Sequence, residues 1–86
     1  MQQVIMDCSG IADGLQLHEA FAQALGFPGW YGKNLDALYD CLTAICQDTA
    51  ICLRDFENLG AWKNGFRCVL EDACEANPLL HITWEN

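Results

Sequence analysis

Three short apolar runs, separated by helical patterns, constrain the fold of this chain most strongly. They are Val4-Ile5-Met6, Ala50-Ile51-Cys52-Leu53 and Leu79-Leu80-His81-Ile82-Thr83-Trp84. The second run shows no alternation of apolar and polar residues, which is typical of a strand covered on both faces and therefore favours a parallel sheet. Strands that alternate with helices predict an α/β fold.

Two helices are predicted between the first and second strands. The first helix follows Asp13, a good N-cap with Gln16 three residues later in the manner of a capping box. It ends at Gly26, which can adopt the left-handed backbone that closes a helix. The second helix begins after Asn34, another favourable N-cap.

Two further helical segments are predicted between the second and third strands. We expect a short helix from Asp55 to about Ala61, a turn at Lys63-Asn64-Gly65, and a helix that ends at Asn77-Pro78. In that helix Phe66, Val69, Leu70 and Ala73 are predicted to face inward, and Arg67, Glu71 and Glu75 outward. The chain thus reads as one small domain over residues 1–86, a three-stranded parallel sheet packed with helices in the order β-α-α-β-α-α-β, with right-handed crossovers.

The second predicted helix carries two carboxylates one turn apart. Its apolar stripe consists of Leu35, Leu38, Cys41, Leu42 and Ile45, and the opposite arc of Asp36, Tyr39, Asp40 and Thr43. The helix dipole favours Asp36 in the first turn, but Asp40 lies beyond that turn, and two like charges at this spacing cost roughly 0.2–0.5 kcal/mol. The pair therefore indicates either a binding surface or an ordinary solvated helix face.

The charge of the chain restricts its partners. Twelve acidic residues against four basic ones give a formal net charge of −8, which repels nucleic acid and anionic membranes and attracts a basic protein. No segment approaches the ~20 apolar residues of a membrane span, and the first residues do not resemble a secretion signal. We therefore expect a cytoplasmic protein that contacts neither nucleic acid nor membranes.

The six cysteines (Cys8, Cys41, Cys46, Cys52, Cys68 and Cys74) could suggest a disulfide framework. Without a secretion signal we expect free thiols, most of them at buried helix or strand positions. Zinc-binding spacings such as CxxC are absent, and His18 and His81 stand far apart, so we expect no metal and no cofactor. His18 is predicted to lie on a helix and His81 on a strand face.

The run from Trp30 to Thr43 resembles the central motif of the barstar family of ribonuclease inhibitors. Its sequence is Trp30-Tyr31-Gly32-x-Asn34-Leu35-Asp36-Ala37-Leu38-Tyr39-Asp40-Cys41-Leu42-Thr43. A second match downstream comprises Asn64-Gly65, Val69-Leu70 and Glu75-Ala76, and Leu17-His18 and Phe56 also fit. The resemblance implies the same three-stranded fold, with the second and last helices side by side and their acids pooled.

The resemblance also implies a function and a set of contact residues. It implies a non-enzymatic inhibitor of the immunity-protein or antitoxin type, which binds a basic ribonuclease, barnase-like or otherwise cytotoxic, in a 1:1 complex. The implied partner-binding residues are Trp30, Tyr31, Gly32, Asn34, Leu35, Asp36, Tyr39, Asp40, Thr43 and Glu75. Of these, Asp40 is expected to enter the phosphate-binding site of the nuclease in place of RNA.

Several alternatives remain open at this level. Trp30 and Tyr31 could pack as a local cluster over the helix, Leu35 could lie in the core or at the interface edge, and Glu75 could pair with Arg67. Three residues depart from the family pattern: Gly29, Lys33 and Tyr39. Lys33 could also reach Asp36.

Two other functions are weighed against inhibition. Asp36 and Asp40 could form an acid–base pair or a magnesium site of an enzyme, although an exposed helix face lacks the burial that tunes catalytic groups. A barstar-like regulatory module that binds a different basic protein, without inhibiting a nuclease, is the stronger alternative.

Overall fold

The sheet places its second strand in the middle. The computed structural model describes residues 1–85 and contains strands β1 (Gln2–Asp7), β2 (Thr49–Arg54) and β3 (Leu80–Glu85). β2 pairs in parallel with β1 on one side and with β3 on the other. The predicted α/β architecture with a three-stranded parallel sheet is therefore confirmed.

Helices α1 and α2 begin directly after the N-caps that the sequence predicts, and α3 ends at Asn77 as predicted. They are α1 (Gly14–Leu25), α2 (Leu35–Thr43) and α3 (Lys63–Ala76). The Asp13 side chain accepts a hydrogen bond from the Gln16 amide at 2.9 Å, and Gly26 closes α1 with a left-handed φ of 69°. The side chain of Gln16 returns to the amide of Ala12, one residue before the N-cap, instead of to the cap itself.

The segment between β2 and α3 departs from its prediction. Only Phe56–Asn58 is helical, as a single 3₁₀ turn, and Asp55 before it has a left-handed φ of 61°. Burial of the Phe56 ring against Trp84, at a centroid distance of 4.9 Å, holds this segment close to the sheet. The predicted turn at Lys63-Asn64-Gly65 is wrong, because these residues form the first turn of α3.

The prediction that β2 is covered on both faces is also wrong. Thr49, Ile51 and Leu53 are buried, whereas Ala50 and Cys52 between them are partly exposed. The buried side chains of the strands join those of the helices in one core on one face of the sheet. Ala50 and Cys52 are small enough to leave the outer face open without exposing much apolar area, so the run conceals an ordinary alternation.

Helices α2 and α3 lie side by side and run in the same direction. At their N-terminal ends, a Cβ atom added to Gly65 would stand only 2.9 Å from Leu35 Cδ1. At their C-terminal ends, the Asn77 side chain donates to the carbonyl oxygens of Leu42 and Ile45, each at 3.0 Å. This arrangement agrees with the adjacency that the family resemblance implies.

The cysteines are free thiols, but fewer are buried than predicted. Cys8 is buried, whereas Cys46 and Cys68 are exposed and the remaining three are half-buried. The prediction placed most of them inside because it assumed that apolar patterns reach the core. Within residues 1–85, no helix has the length and apolar character needed to cross a membrane.

Candidate interaction face

An aromatic loop, residues 27–33, leads from α1 into α2. Its start is fixed, because the Phe27 amide donates to the Ala22 carbonyl at 2.9 Å directly after the left-handed Gly26. The Tyr31 amide then donates to the Pro28 carbonyl at 3.0 Å and closes a turn. The loop is therefore held in one shape by backbone contacts before any partner arrives.

The adjacent loop residues Trp30 and Tyr31 point in opposite directions. Trp30 is 83% exposed, whereas Tyr31 is only 6% exposed. The Tyr31 hydroxyl lies 2.7 Å from His18 Nδ1, and its ring packs against Phe27 at a centroid distance of 5.0 Å. Of the two predicted contact residues, Trp30 is thus presented to solvent and Tyr31 supports the loop from beneath.

Burial changes the protonation of the internal pair. Burial raises the pKa of Tyr31 to about 12, chiefly by desolvation. Desolvation also lowers the pKa of His18, whose ring lies 4.6 Å from that of Phe66. Both groups are therefore neutral at physiological pH, and their hydrogen bond joins the loop to α1. His18 lies on a helix and is hydrogen-bonded, as predicted.

Asn34 shapes the junction between the loop and α2. Its Oδ1 accepts from the Ala37 amide at 2.8 Å, which confirms the predicted N-cap, and its Nδ2 donates to the Gly32 carbonyl at 3.3 Å. A Cβ atom on Gly32 would stand 3.0 Å from Asn34 Nδ2, so the loop approaches this side chain closely. The residue with a left-handed backbone at this junction is Lys33, with a φ of 52°, and not Gly32.

Helix α2 presents its acids as predicted. Asp36 and Asp40 are exposed, and Tyr39 and Thr43 beside them are half-buried. The Thr43 hydroxyl donates to the Tyr39 carbonyl at 2.8 Å, so it is engaged within the helix. The half-buried Leu35 contacts α3 next to Gly65, which places it between the two helices.

Helix α3 adds two acids to the same surface. Tyr39, Asp72, Glu75 and Ala76 line a shallow recess of about 360 Å³ between α2 and α3. Glu75 was expected here, whereas Asp72 was missed. Asp72 could have been found from the sequence, because it lies three residues before Glu75 and therefore on the same helical face. We call Asp36, Asp40, Asp72 and Glu75 the acidic face.

In the part of the chain that the structure describes, the acidic face has no internal counterions. Within residues 1–85 the ion pairs are Arg54–Glu85 and Arg67–Glu57, and His81 Nε2 lies 3.5 Å from Asp48 Oδ1; none of these contacts involves a member of this face. The predicted alternatives in which Lys33 pairs with Asp36, or Arg67 with Glu75, are therefore not realised in the part of the chain described.

Arg67 is turned away from the acidic face by aromatic rings. Its guanidinium lies 4.6 Å from the centre of the Trp84 ring and 5.4 Å from that of Phe56, and it pairs with Glu57. Stacking on these rings together with the ion pair holds the cation beside the sheet. The carboxylate of Glu75 thereby remains available to an external cation.

An apolar cleft of about 500 Å³ opens on the other side of Asp40. One wall is the aromatic loop, including Trp30, and the other is the flank of α2 formed by Ala37, Cys41 and Ala44. The small side chains on that flank keep the cleft open. Asp40 therefore stands on a ridge, with the apolar cleft on one side and the neighbouring Tyr39 leading to the acidic recess on the other.

The surface has the features of a protein-binding site more than those of a catalytic one. Among residues 1–85, no group of three or more His, Cys, Asp or Glu side chains is arranged to hold a metal ion. His81 lies on the outer face of β3 beside Asp48, far along the chain from the acids of α2. What the arrangement offers is negative charge, one exposed indole ring and an apolar cleft.

Comparison with known proteins identifies the family. The model of the family described as "Barstar (barnase inhibitor)" matches residues 1–85. The chain is also 34% identical over 80 residues to a Bacillus subtilis (strain 168) protein named "Putative ribonuclease inhibitor YrdF", an alignment that covers 87% of this chain and 88% of that protein. Proteins of this family are inhibitors and not enzymes. The chain therefore belongs to the barstar family.

Proposed function

We propose that this protein binds and blocks the active-site cleft of a basic ribonuclease in a 1:1 complex, without turnover of its own. The observation that carries the proposal is the acidic face, which makes no ion pair within residues 1–85 and lies beside an exposed Trp30 and an apolar cleft. The family description and the name of the Bacillus subtilis relative support the same class of partner.

Charge supplies the first part of the mechanism. A cleft that holds RNA phosphates is lined with cationic side chains, and a carboxylate can take the place of a phosphate there. Asp40 projects from the ridge of α2, where a fork-shaped arginine can bind both of its oxygens. Asp36 and Glu75 would contact further cations around it, and Asp72 adds another charge to the recess. The negative field would also speed the encounter.

Apolar contact supplies the second part. Trp30 exposes most of its indole ring, and rings of this kind dominate the binding energy of many interfaces. A partner side chain that enters the apolar cleft would pack against Trp30 and α2 while meeting the Asp40 carboxylate at the rim. Tyr39 would provide a second, half-buried aromatic contact on the recess side.

The remaining predicted contact residues act mainly by shaping this surface. Tyr31 anchors the loop and Asn34 caps α2, while Gly32 permits the close approach of the loop to that cap. Leu35 and Thr43 stabilise α2 through its contact with α3 and through its own backbone. We further propose that the inhibitor acts in the cytoplasm and protects the cell that makes the nuclease.

The proposal is tested by titrating the purified protein into barnase, and into other basic cytotoxic ribonucleases, while following the cleavage of a fluorogenic RNA. The expected result is a linear loss of activity that is complete at one molar equivalent for at least one enzyme. Full activity of every nuclease at a tenfold excess of folded protein would refute inhibition. Capture of a basic protein that is not a nuclease would then favour the regulatory module instead.

A further inference from the structure

Asn77 is a buried polar residue at the junction of α2, α3 and β3. Its side chain is 6% exposed and makes three hydrogen bonds: Nδ2 donates to Leu42 and Ile45 carbonyl oxygens, each at 3.0 Å, and Oδ1 accepts from the Leu79 amide at 3.0 Å. The sequence predicts only that α3 ends at Asn77, and the family resemblance does not include Asn77 among the contact residues.

The backbone of Asn77 is fixed as firmly as its side chain. Its amide donates to the Ala73 carbonyl of α3 at 2.8 Å, and its own carbonyl accepts from Leu80 of β3 at 3.1 Å. The residue is therefore attached to α3 and to the sheet before its side chain reaches α2. Any hydrogen bond that it makes to α2 consequently fixes α2 relative to those elements.

Helix α2 depends on this contact at its C-terminal end. The last carbonyl groups of a helix have no partners within the helix, and α2 has no basic side chain in its last turn. Asn77 Nδ2 donates to the Leu42 carbonyl in the last turn of α2, which also accepts from the Ile45 amide at 3.3 Å, and to the Ile45 carbonyl just beyond the helix. At the N-terminal end, by contrast, the contact of Leu35 with Gly65 is apolar and therefore not directional. The directional contact is the one at Asn77.

We propose that Asn77 is a positioning residue of the proposed binding surface. It fixes Asp40 of α2 relative to Glu75 of α3 by holding the Leu42 carbonyl at the end of α2 and the Ile45 carbonyl in the segment that follows. This inference rests on the proposed function. A partner with cations in fixed places must find these carboxylates at matching places. Affinity therefore depends on Asn77, although the partner does not touch it.

The first test uses the free protein and the substitution Asn77→Asp. This change keeps the size of the side chain and the acceptor for Leu79, but places an oxygen against two carbonyl oxygens. We expect the amide hydrogens of Ala44 and Ile45 to exchange with deuterium at least about tenfold faster than in the native protein. The exchange rate of the Leu70 amide in α3 should change by less than about twofold. The matched control is Asn64→Asp, which adds the same charge at the exposed start of α3 and should leave all three rates unchanged.

The second test measures binding to barnase by surface plasmon resonance. We expect Asn77→Asp to raise the dissociation rate constant at least about tenfold relative to Asn64→Asp, since changes within one interface act mostly on dissociation. A merely structural role would leave the contributions of individual acids intact. With positioning, Glu75→Ala costs several-fold less affinity in the Asn77→Asp background than in the native protein.

The outcomes separate this inference from the proposed function. Unchanged exchange at Ala44 and Ile45, or equal effects of Glu75→Ala in both backgrounds, would overturn the role of Asn77. Failure of the native protein to bind barnase or any other basic ribonuclease, with exchange responding as expected, would overturn the proposed function itself and the binding role of Asn77 with it. Should Asn77→Asp not fold, Asn77→Ala removes the same donors without adding charge, and its results are judged by the same criteria.

Discussion

The Tyr31 hydroxyl and His18 Nδ1 lie 2.7 Å apart inside the protein, and this hydrogen bond ties the aromatic loop to α1. In a neutral imidazole this nitrogen can accept a hydrogen bond from the phenolic hydroxyl group. Tyr31 is thus an internal anchor of the loop, whereas the neighbouring Trp30 is exposed. The shape of the binding surface therefore depends on the protonation of a group that the partner does not reach.

Acidification should destabilise the protein through His18. Desolvation lowers the pKa of this residue in the folded state below its ordinary value of about 6.5, so the unfolded chain takes up the proton first. The unfolded state then binds more protons, and the free energy of unfolding rises with pH through this range and falls as the pH drops below about 6.5. Urea unfolding between pH 5 and 8 would measure the effect.

His18→Gln provides the control for this pH dependence. A glutamine can still offer an acceptor to Tyr31 but does not titrate, and His81 is present in both proteins. The difference between the two stability curves therefore isolates His18. A variant with the same dependence on pH as the native protein would show that another group is responsible.

Asp40→Ala should weaken binding to the nuclease by at least ~2 kcal/mol, which is the usual threshold of a hot spot and corresponds to about thirtyfold in Kd. The carboxylate is exposed on the ridge of α2, so its removal should leave the fold intact. Isothermal titration calorimetry would measure the change. Glu85→Ala removes the same charge from the outer face of the sheet and should change affinity far less. Equal losses for both variants would mean that only net charge matters.

Trp30→Ala should separate binding from stability. The ring is 83% exposed, so its loss should change the free energy of unfolding by no more than ~0.5 kcal/mol. Binding should weaken by ~1–2 kcal/mol, because the ring borders the apolar cleft. The control Leu15→Ala removes an exposed apolar side chain of α1 and should change neither the free energy of unfolding nor the affinity. Unchanged affinity for Trp30→Ala would remove the ring from the interface.

Gly65→Ala should fail to give the stability that such a change usually gives inside a helix. Alanine is favoured over glycine by ~1 kcal/mol in a helix interior, but Gly65 lies in the first turn of α3, and a Cβ atom there would stand 2.9 Å from Leu35 Cδ1, so the Leu35 side chain must move. We expect a double-mutant cycle with Leu35→Ala to show a coupling energy of at least ~0.5 kcal/mol, measured by urea unfolding. Additive effects would show that the two helices adjust without cost at this point.

Local chemistry made much of the fold predictable. Caps such as Asp13 and Asn34 and the left-handed Gly26 determine helix ends through contacts between near neighbours in the chain, and sequence shows these directly. The start of α3 was missed because Trp62 makes no side-chain capping bond and leaves no signal. The sequence did not predict the open face of the sheet, because a cysteine such as Cys52 fits an apolar pattern whether its side chain is buried or exposed.

The binding surface was predictable only in part, for a related reason. The exposure of Asp36 and Asp40 follows from helical spacing within α2. The orientation of Tyr31 does not, since it depends on His18, a residue thirteen positions away along the chain. The roles of Asp72 and Asn77 likewise require two helices to be brought together, which spacing in one segment cannot reveal.

The sequestration of Arg67 between aromatic rings has a consequence for how salt acts on this protein. Since the carboxylates of α2 and α3 repel one another and none of them pairs with a cation among the described residues, added salt should raise the melting temperature of the unbound chain by screening. The same ions should loosen its complex with a cationic protein. A higher salt concentration should therefore stabilise the free protein and weaken the complex. Such opposite responses are expected if the partner supplies the cations that neutralise these carboxylates.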